Sequence, residues 1–152
     1  MDKIDRKILQ ELQRDGRISM TELSERVHLS ISPCIERVRR MERAGVIQGY
    51  HARVDPAALG LSLLVFVELT LSSKSPETFR AVRDALLAEP RVLECHLVSG
   101  TFDYLVKARL SAMREYRELL ADILHRVPVP ARSNSYVVME EIKETLTLPV
   151  DV

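Results

Sequence analysis

The chain is poor in the residues that mark several special classes of protein. Its 152 residues include no Trp, two Cys, five Gly and seven Pro, and aromatic residues make up 5% of them. So little Gly and Pro excludes a fibrous protein, and a hydrophobic content of 46% excludes a disordered chain. Two cysteines, Cys34 and Cys95, cannot supply a disulfide scaffold for this length, so we expect two reduced thiols in a cytoplasmic protein.

No segment has the pattern of a membrane span, a secretion signal or an enzyme centre. The longest apolar stretch, 61–67, is far too short to cross a bilayer, and the charged N-terminus has no signal-peptide core. None of the four His lies at a zinc-ligand spacing from a cysteine. Cys95 and His96 are adjacent, so on a strand they point to opposite faces. We expect no catalytic residue, no metal site and no cofactor.

The formal net charge is zero, which by itself argues against a nucleic-acid partner. The charge is distributed unevenly, however. Residues 1–55 hold 11 Lys and Arg against 9 Asp and Glu, whereas residues 56–152 hold 11 against 13. Five arginines fall within residues 30–53. The pattern of secondary structure changes at the same place, so we predict two domains, 1–55 and 56–152.

The first domain has the pattern of three short helices. Apolar residues recur at helical spacing over 3–14. The run Ser19–Glu22 fits a capping box at the start of a second helix over 21–27. A third helix is predicted to start within Ser30–Pro33, because Ser can cap and Pro suits a first turn, and to stop at Gly45.

Two short helices joined by a tight turn, the second rich in arginine, predict a helix-turn-helix. The residue predicted to take a left-handed conformation in the turn is His28. In this motif the start of the second helix meets base edges in the major groove, while Arg and Ser hold phosphates or read guanine. The candidate DNA-binding residues are Ser30, Ser32, Pro33, Arg37, Arg39, Arg40 and Arg43.

Two further interpretations concern the same region. Taken alone, the arginines could form a solvated helix face, but the capped helix before them, the tight turn and the small polar residues at the helix start favour DNA binding. Residues 46–54 alternate between apolar and polar, which predicts a strand that forms a wing or a link.

The second domain has the strand and helix order βαββαβ of a ferredoxin-like fold. The strands are predicted at 61–71, 92–99, 102–110 and 134–143, and the helices at 76–89 and 111–127. The first strand is apolar on both faces, so both are expected to be covered, the second by another subunit. Met113, Tyr116, Leu120 and Ile123 are predicted to face inward from the last helix.

Several stretches of the chain resemble the Lrp/AsnC family of transcription regulators in collinear order. They are Ile4–Leu9, Asp15–Ser19, Cys34–Arg40, Gly45–Tyr50, Glu94–Gly100, Phe102–Tyr104 and Tyr136–Glu140. The resemblance implies an α+β chain in which a winged helix-turn-helix precedes a ferredoxin-like domain. It also implies a homodimer that assembles further, to a tetramer or octamer, with pockets for an amino-acid effector between neighbouring dimers.

The resemblance also implies a set of effector-binding residues. These are Leu97, Gly100, Thr101, Asp103, Met113, Tyr136, Val137 and Val138. Asp103 can accept the α-ammonium group of an amino acid, and backbone N–H groups around Gly100 can hold its carboxylate. Met113 and Val138 could line an apolar pocket. Without the resemblance, Asp103 would be interpreted as a turn residue and Met113 as core.

These observations favour a cytoplasmic, nucleoid-associated regulator that binds double-stranded DNA and not a membrane. An amino acid, leucine-like or other, would modulate it as an effector rather than a cofactor, and the target genes would serve amino-acid metabolism. The alternative is an amino-acid-sensing module that acts through protein partners, with the N-terminal helices as its docking surface.

Overall fold

The computed structural model describes residues 1–150 and divides the chain into two compact units. One unit comprises Met1–Arg53 together with Lys143–Val152, and the other comprises Val54–Ile142. The chain therefore crosses from one unit to the other twice. The predicted division into 1–55 and 56–152 does not contain this return of residues 143–150 to the first unit.

The first unit is built from three helices whose starts are set by capping side chains. They are α1 (Lys3–Arg14), α2 (Met20–Arg26) and α3 (Ile31–Arg43). The Ser19 hydroxyl accepts the N–H of Glu22 at 3.1 Å, as predicted. The Glu22 carboxylate instead accepts from Arg26 at 2.6 Å. The reciprocal capping box occurs in α1, between Asp2 and Asp5.

The three helices enclose a small apolar core. Its buried residues are Ile8, Leu12, Ile18, Leu23, Val27, Cys34, Val38 and Met41. Cys34 is fully buried, and this burial raises the pKa of its thiol. The strand predicted at 46–54 is wrong, because the segment is irregular and no strand of residues 1–150 pairs with it. Alternation of side chains produces a strand only where a neighbour supplies hydrogen bonds.

The second unit contains four antiparallel strands and two helices. A 3-10 turn at Ala57–Leu59 precedes them, and the elements are β1 (Leu63–Leu71), α4 (Pro76–Leu87), β2 (Val92–Leu97), β3 (Tyr104–Leu110), α5 (Met113–Arg126) and β4 (Ala131–Val137). The strand order is β2-β3-β1-β4, which is the ferredoxin-like arrangement. The two edges of the sheet are therefore β2 and β4.

Both helices pack on one face of the sheet. The core beneath them includes Val65, Val67 and Leu69 of β1 with their neighbours on β3, and Val82 and Leu119 from the helices. Burial of this apolar surface is the main stabilising contribution in the unit.

Two details of the second unit correct the sequence prediction. β4 runs over Ala131–Val137 instead of 134–143, because its pairing with Val65–Leu71 of β1 and not its own apolar run sets its ends. Met113 is half exposed instead of facing inward, since it is the first residue of α5 and lies before the first buried turn.

The opposite face of the sheet carries a mixture of apolar and charged residues. Phe66 pairs with Lys107 and Tyr136 across the ladder, and Tyr136 remains 52% exposed. At one end Arg109 donates a hydrogen bond to Glu141, so the chain after β4 extends toward β3. No helix within residues 1–150 has the length and apolarity needed to cross a membrane.

Candidate nucleic-acid interface and ligand site

The turn between α2 and α3 is fixed by backbone hydrogen bonds. His28 has φ of 56°, the left-handed conformation that the sequence predicted, and its N–H donates to Glu25 at 3.1 Å. The N–H of Leu29 donates to Ser24 at 2.9 Å. This left-handed residue ends α2 and redirects the chain into α3 within three residues. The arrangement is a helix-turn-helix.

The N-terminal end of α3 is open to solvent. Ser30 occupies the cap position, yet its hydroxyl makes no capping hydrogen bond. Ser30, Ser32 and Pro33 are exposed, and Ile31 is 44% exposed. Exposed hydroxyls and unpaired N–H groups at a helix N-terminus can donate to phosphate oxygens.

The four candidate arginines of α3 have different surroundings. Arg39 is exposed and has no acidic partner among residues 1–150. Arg43 pairs with Glu36 at 2.8 Å, and both side chains are about two-thirds exposed (64% and 66%). An ion pair this exposed is screened by water and contributes little to stability, so Arg43 can leave Glu36 and bind another anion.

Arg37 and Arg40 instead connect α3 to α1. Arg37 Nη1 lies 2.6 Å from Asp2 Oδ2 and 2.8 Å from Asp5 Oδ1, and Arg40 Nη2 lies 2.7 Å from Asp5 Oδ2. The side chain of Asp5 is 2% exposed, whereas that of Arg40 is 55% exposed. We call these four residues the α1–α3 brace. It holds α3 against α1.

The electrostatics of the brace follow from its geometry. Burial disfavours the charged form of Asp5, but hydrogen bonds from Arg37 and from the Asp2 backbone outweigh it, so the pKa of Asp5 is lowered. The hydrogen bond to Asp2 and then that to Asp5 raise the pKa of Arg37. Asp5 and Arg37 are therefore both ionised at neutral pH.

The C-terminal segment 143–150 contacts the same unit through a side-chain amide. Gln13 Nε2 donates to the carbonyl of Leu148 at 3.1 Å, and Gln13 Oε1 accepts the Leu148 N–H at 2.7 Å. One Gln side chain thus satisfies both polar groups of one peptide residue. No pattern in the sequence predicts this contact, because Gln13 belongs to the polar face of α1.

Asp103 lies at the start of β3 and is almost completely buried. Its Oδ2 accepts the N–H of Leu71 at 2.8 Å, and its Oδ1 lies 2.7 Å from the Nζ of Lys74. Burial opposes ionisation of Asp103, but the hydrogen bonds from Lys74 and Leu71 outweigh it and lower its pKa. Nearby, Gly100 has φ of 158°, a conformation that favours glycine, with open space where a side chain would project.

The predicted effector residues form two separate groups in one chain. Leu97 pairs with Tyr104 and, through it, with Leu69 of β1, whereas Val137 pairs with Val65. Because β2 and β4 are opposite edges of the sheet, Leu97 and Val137 lie at opposite corners of it. They are separated by about 14 Å across the strands and by about 13 Å along β1.

The two corners of the sheet hold different members of the predicted set. The first corner holds Leu97, Gly100, Thr101 and Asp103, and the second holds Tyr136, Val137 and Val138. Met113 belongs to the second corner, because it follows Leu110, the last residue of β3, which pairs with Leu63 of β1. Leu97, Met113, Tyr136 and Val137 are between 45% and 63% exposed. A single chain therefore holds the predicted effector residues in two separate groups instead of one pocket.

An apolar groove of about 480 Å³ lies between α4 and the edge strand β2. Leu86, Leu93 and Cys95 line it, with Arg83 among its polar residues. The register places Cys95 opposite Val106 and His96 opposite Leu105, so the two side chains project from opposite faces of the sheet, as predicted.

A helix-turn-helix unit followed by a ferredoxin-like unit is the domain order of a ligand-responsive regulator of transcription. Family models agree with this class. Residues 1–48 match a winged helix-turn-helix DNA-binding model, and residues 64–148 match the Lrp/AsnC ligand binding domain. The chain belongs to the Lrp/AsnC family of DNA-binding transcription regulators, which are not enzymes.

Relatives cover nearly the whole chain. The leucine-responsive regulatory proteins of Klebsiella pneumoniae and of Escherichia coli K12 are each 53% identical over 150 residues, which is 99% of this chain and 92% of theirs. A transcriptional regulator from Neisseria meningitidis in complex with L-methionine superimposes with a TM-score of 0.92 at 35% identity, covering 99% of this chain and 97% of that one. A feast or famine regulatory protein from M. tuberculosis, complexed with L-methionine, gives 0.85 at 31% identity, with 97% of each chain covered.

Proposed function

We propose that α3 enters the major groove of double-stranded DNA by its N-terminal end. The open end of this helix, where the Ser30 hydroxyl makes no cap, is the observation that carries the proposal. Ser30, Ser32 and Pro33 meet the DNA there, and Arg39 and Arg43 bind phosphates or bases.

Arg37 and Arg40 have a different part in this proposal. Arg37 orients α3 through its two bonds to α1, and its side chain is only 25% exposed. Arg40 keeps one exposed side and can bind a phosphate while it remains paired with Asp5. Base readout requires a helix held at a fixed angle, and the brace supplies that constraint.

We further propose that a free amino acid is the effector and that its pocket is completed by a second copy of the chain. The family domain and the relatives with bound L-methionine support an amino acid of that kind. The separation of the predicted effector residues supports shared pockets, since one chain holds Asp103 and Val137 at opposite corners of its sheet. We therefore propose a homodimer that assembles into tetramers or octamers, acts at the nucleoid in the cytoplasm and controls genes of amino-acid metabolism.

A gel shift with sheared genomic DNA tests the DNA-binding face. Arg39→Ala is expected to weaken binding by about 1–3 kcal/mol, whereas Arg80→Ala, which removes another exposed arginine, from α4, should leave it unchanged. Affinity should also fall steeply with salt. An unchanged shift for Arg39→Ala would refute the proposed face. A protein that is stabilised by an amino acid but shifts no DNA would favour docking to a protein partner instead.

A further inference from the structure

The acceptor oxygen proposed for an amino acid already carries an ammonium group of the chain itself. Lys74 lies in the loop between β1 and α4, and its Nζ lies 2.7 Å from Asp103 Oδ1. The Asp103 side chain is 7% exposed, while that of Lys74 is 57% exposed. A buried anion is thus paired with a cation that extends into water.

The two partners differ in how firmly they are held. Asp103 is fixed by three backbone contacts: its N–H donates to Leu69 at 2.8 Å, its carbonyl accepts from Val98 at 2.9 Å, and its Oδ2 accepts from Leu71 at 2.8 Å. The Lys74 side chain has one ion pair among residues 1–150, the one to Oδ1. The carboxylate therefore stays in place when Lys74 moves away.

The ε-ammonium of lysine and the α-ammonium of a free amino acid are the same chemical group. We propose that Lys74 is an internal competitor that occupies Asp103 Oδ1 until the α-ammonium of the effector displaces it, and so sets the affinity and the ligand class of the site. This inference rests on the proposed effector site. It makes Lys74 a specificity-determining residue of the site.

Two properties of the site follow. A ligand without an ammonium group, such as the α-keto acid of methionine, cannot displace Lys74 from a carboxylate and is rejected. Exchange of one ammonium for another leaves the charge on the buried carboxylate neutralised both before and after binding, so neither end state contains an unpaired buried anion. The low pKa of Asp103 keeps the carboxylate ionised throughout the neutral range.

Isothermal titration of the full-length protein with L-methionine tests the competition. Since the Lys74 end of the pair is 57% exposed and screened by water, its removal is expected to have a moderate effect, and Lys74→Met should lower the Kd about three- to fivefold. Lys74→Arg retains a cation and should stay near the wild-type Kd. Lys3→Met, which removes an exposed lysine from α1, is the matched control for loss of charge.

The outcomes separate this inference from the proposed function. If wild type and Lys74→Met bind L-methionine equally, or Lys74→Met binds more weakly, the competition is refuted while the effector site stands. If only Lys74→Met binds, the competition is supported in its strongest form. If neither protein binds L-methionine or any other amino acid, both proposals fail. Asp103→Asn should remove binding in either background, because an amide does not neutralise an ammonium.

Discussion

Replacing Asp5 by Asn should loosen the helix-turn-helix without disturbing the rest of the protein. Asp5 accepts from Arg37 at 2.8 Å and from Arg40 at 2.7 Å, and it is 2% exposed. Hydrogen bonds to charged groups contribute about 1.5–3 kcal/mol each. Arg40 contributes less, since its side chain is 55% exposed and water screens its charge. Asn keeps one oxygen acceptor, so we expect a loss of about 2–3 kcal/mol in the first unit.

Hydrogen exchange measured by mass spectrometry is the suitable assay, because it reports each unit separately. A loss of 2–3 kcal/mol corresponds to faster exchange of the α1 and α3 amides by about 30- to 150-fold. Peptides of β1 and β3 in the same molecule serve as the internal control. Glu25→Gln, on the exposed surface of α2, controls for loss of an acidic charge. Unchanged protection of α1 and α3 would show that the brace does not hold them together.

The Asp5→Asn variant should also change how the stability of the first unit depends on pH. The pKa of Asp5 is lowered in the folded chain, so its contribution to stability is fully present above the unfolded value and is lost as pH falls through the folded value. Wild-type α1 and α3 should therefore lose protection below a pH of about 4. Asp5→Asn should lack this part of the acid dependence. Parallel acid profiles in the two proteins would contradict the assignment.

Two more variants test other contacts. Gln13→Ala removes both hydrogen bonds to Leu148, so amides 143–150 should exchange faster while β3 stays protected; equal exchange would mean that Gln13 does not hold the segment. Gly100→Ala forces a side chain into a backbone conformation that costs about 1–3 kcal/mol, although the space is open. It should lower the melting temperature of the second unit and weaken L-methionine binding, and an unchanged melting temperature would show that the loop accepts the substitution.

Local chemistry made part of the fold predictable. Ser19 and Ser30 fall at helix starts, and His28 adopts the left-handed turn conformation, because capping and turn preferences act within a few residues. The order βαββαβ followed from alternating periods of two and 3.6 residues. The predictions that failed concern strands, whose extent depends on a neighbouring strand. The segment predicted as a strand at 46–54 has no pairing strand among residues 1–150, and the ends of β4 are set by its pairing with β1.

The site was predictable as a set of residue types but not as a geometry. Four arginines on one helix predict a basic surface, but their periodicity does not reveal that two of them pair with Asp2 and Asp5, 35 residues away in the case of Arg40 and Asp5. That contact depends on how α1 crosses α3. In the same way, the separation of Asp103 from Val137 follows from the strand order, which only the pairing of the whole sheet defines.

The zero net charge takes on a specific meaning once the brace is known. Asp2 and Asp5 neutralise Arg37 and Arg40. Arg39 and the weakly paired Arg43 are therefore the α3 side chains most available to bind DNA phosphates. A single α3 helix therefore has few charges with which to attract phosphates, and nonspecific affinity, which depends on their number, should be modest. Specific affinity must then come from the fixed angle of α3 and from several copies of it acting together. Asp2 and Asp5 thus have two effects: they neutralise two of the four arginines of α3, and they hold this helix at the fixed angle that base readout requires.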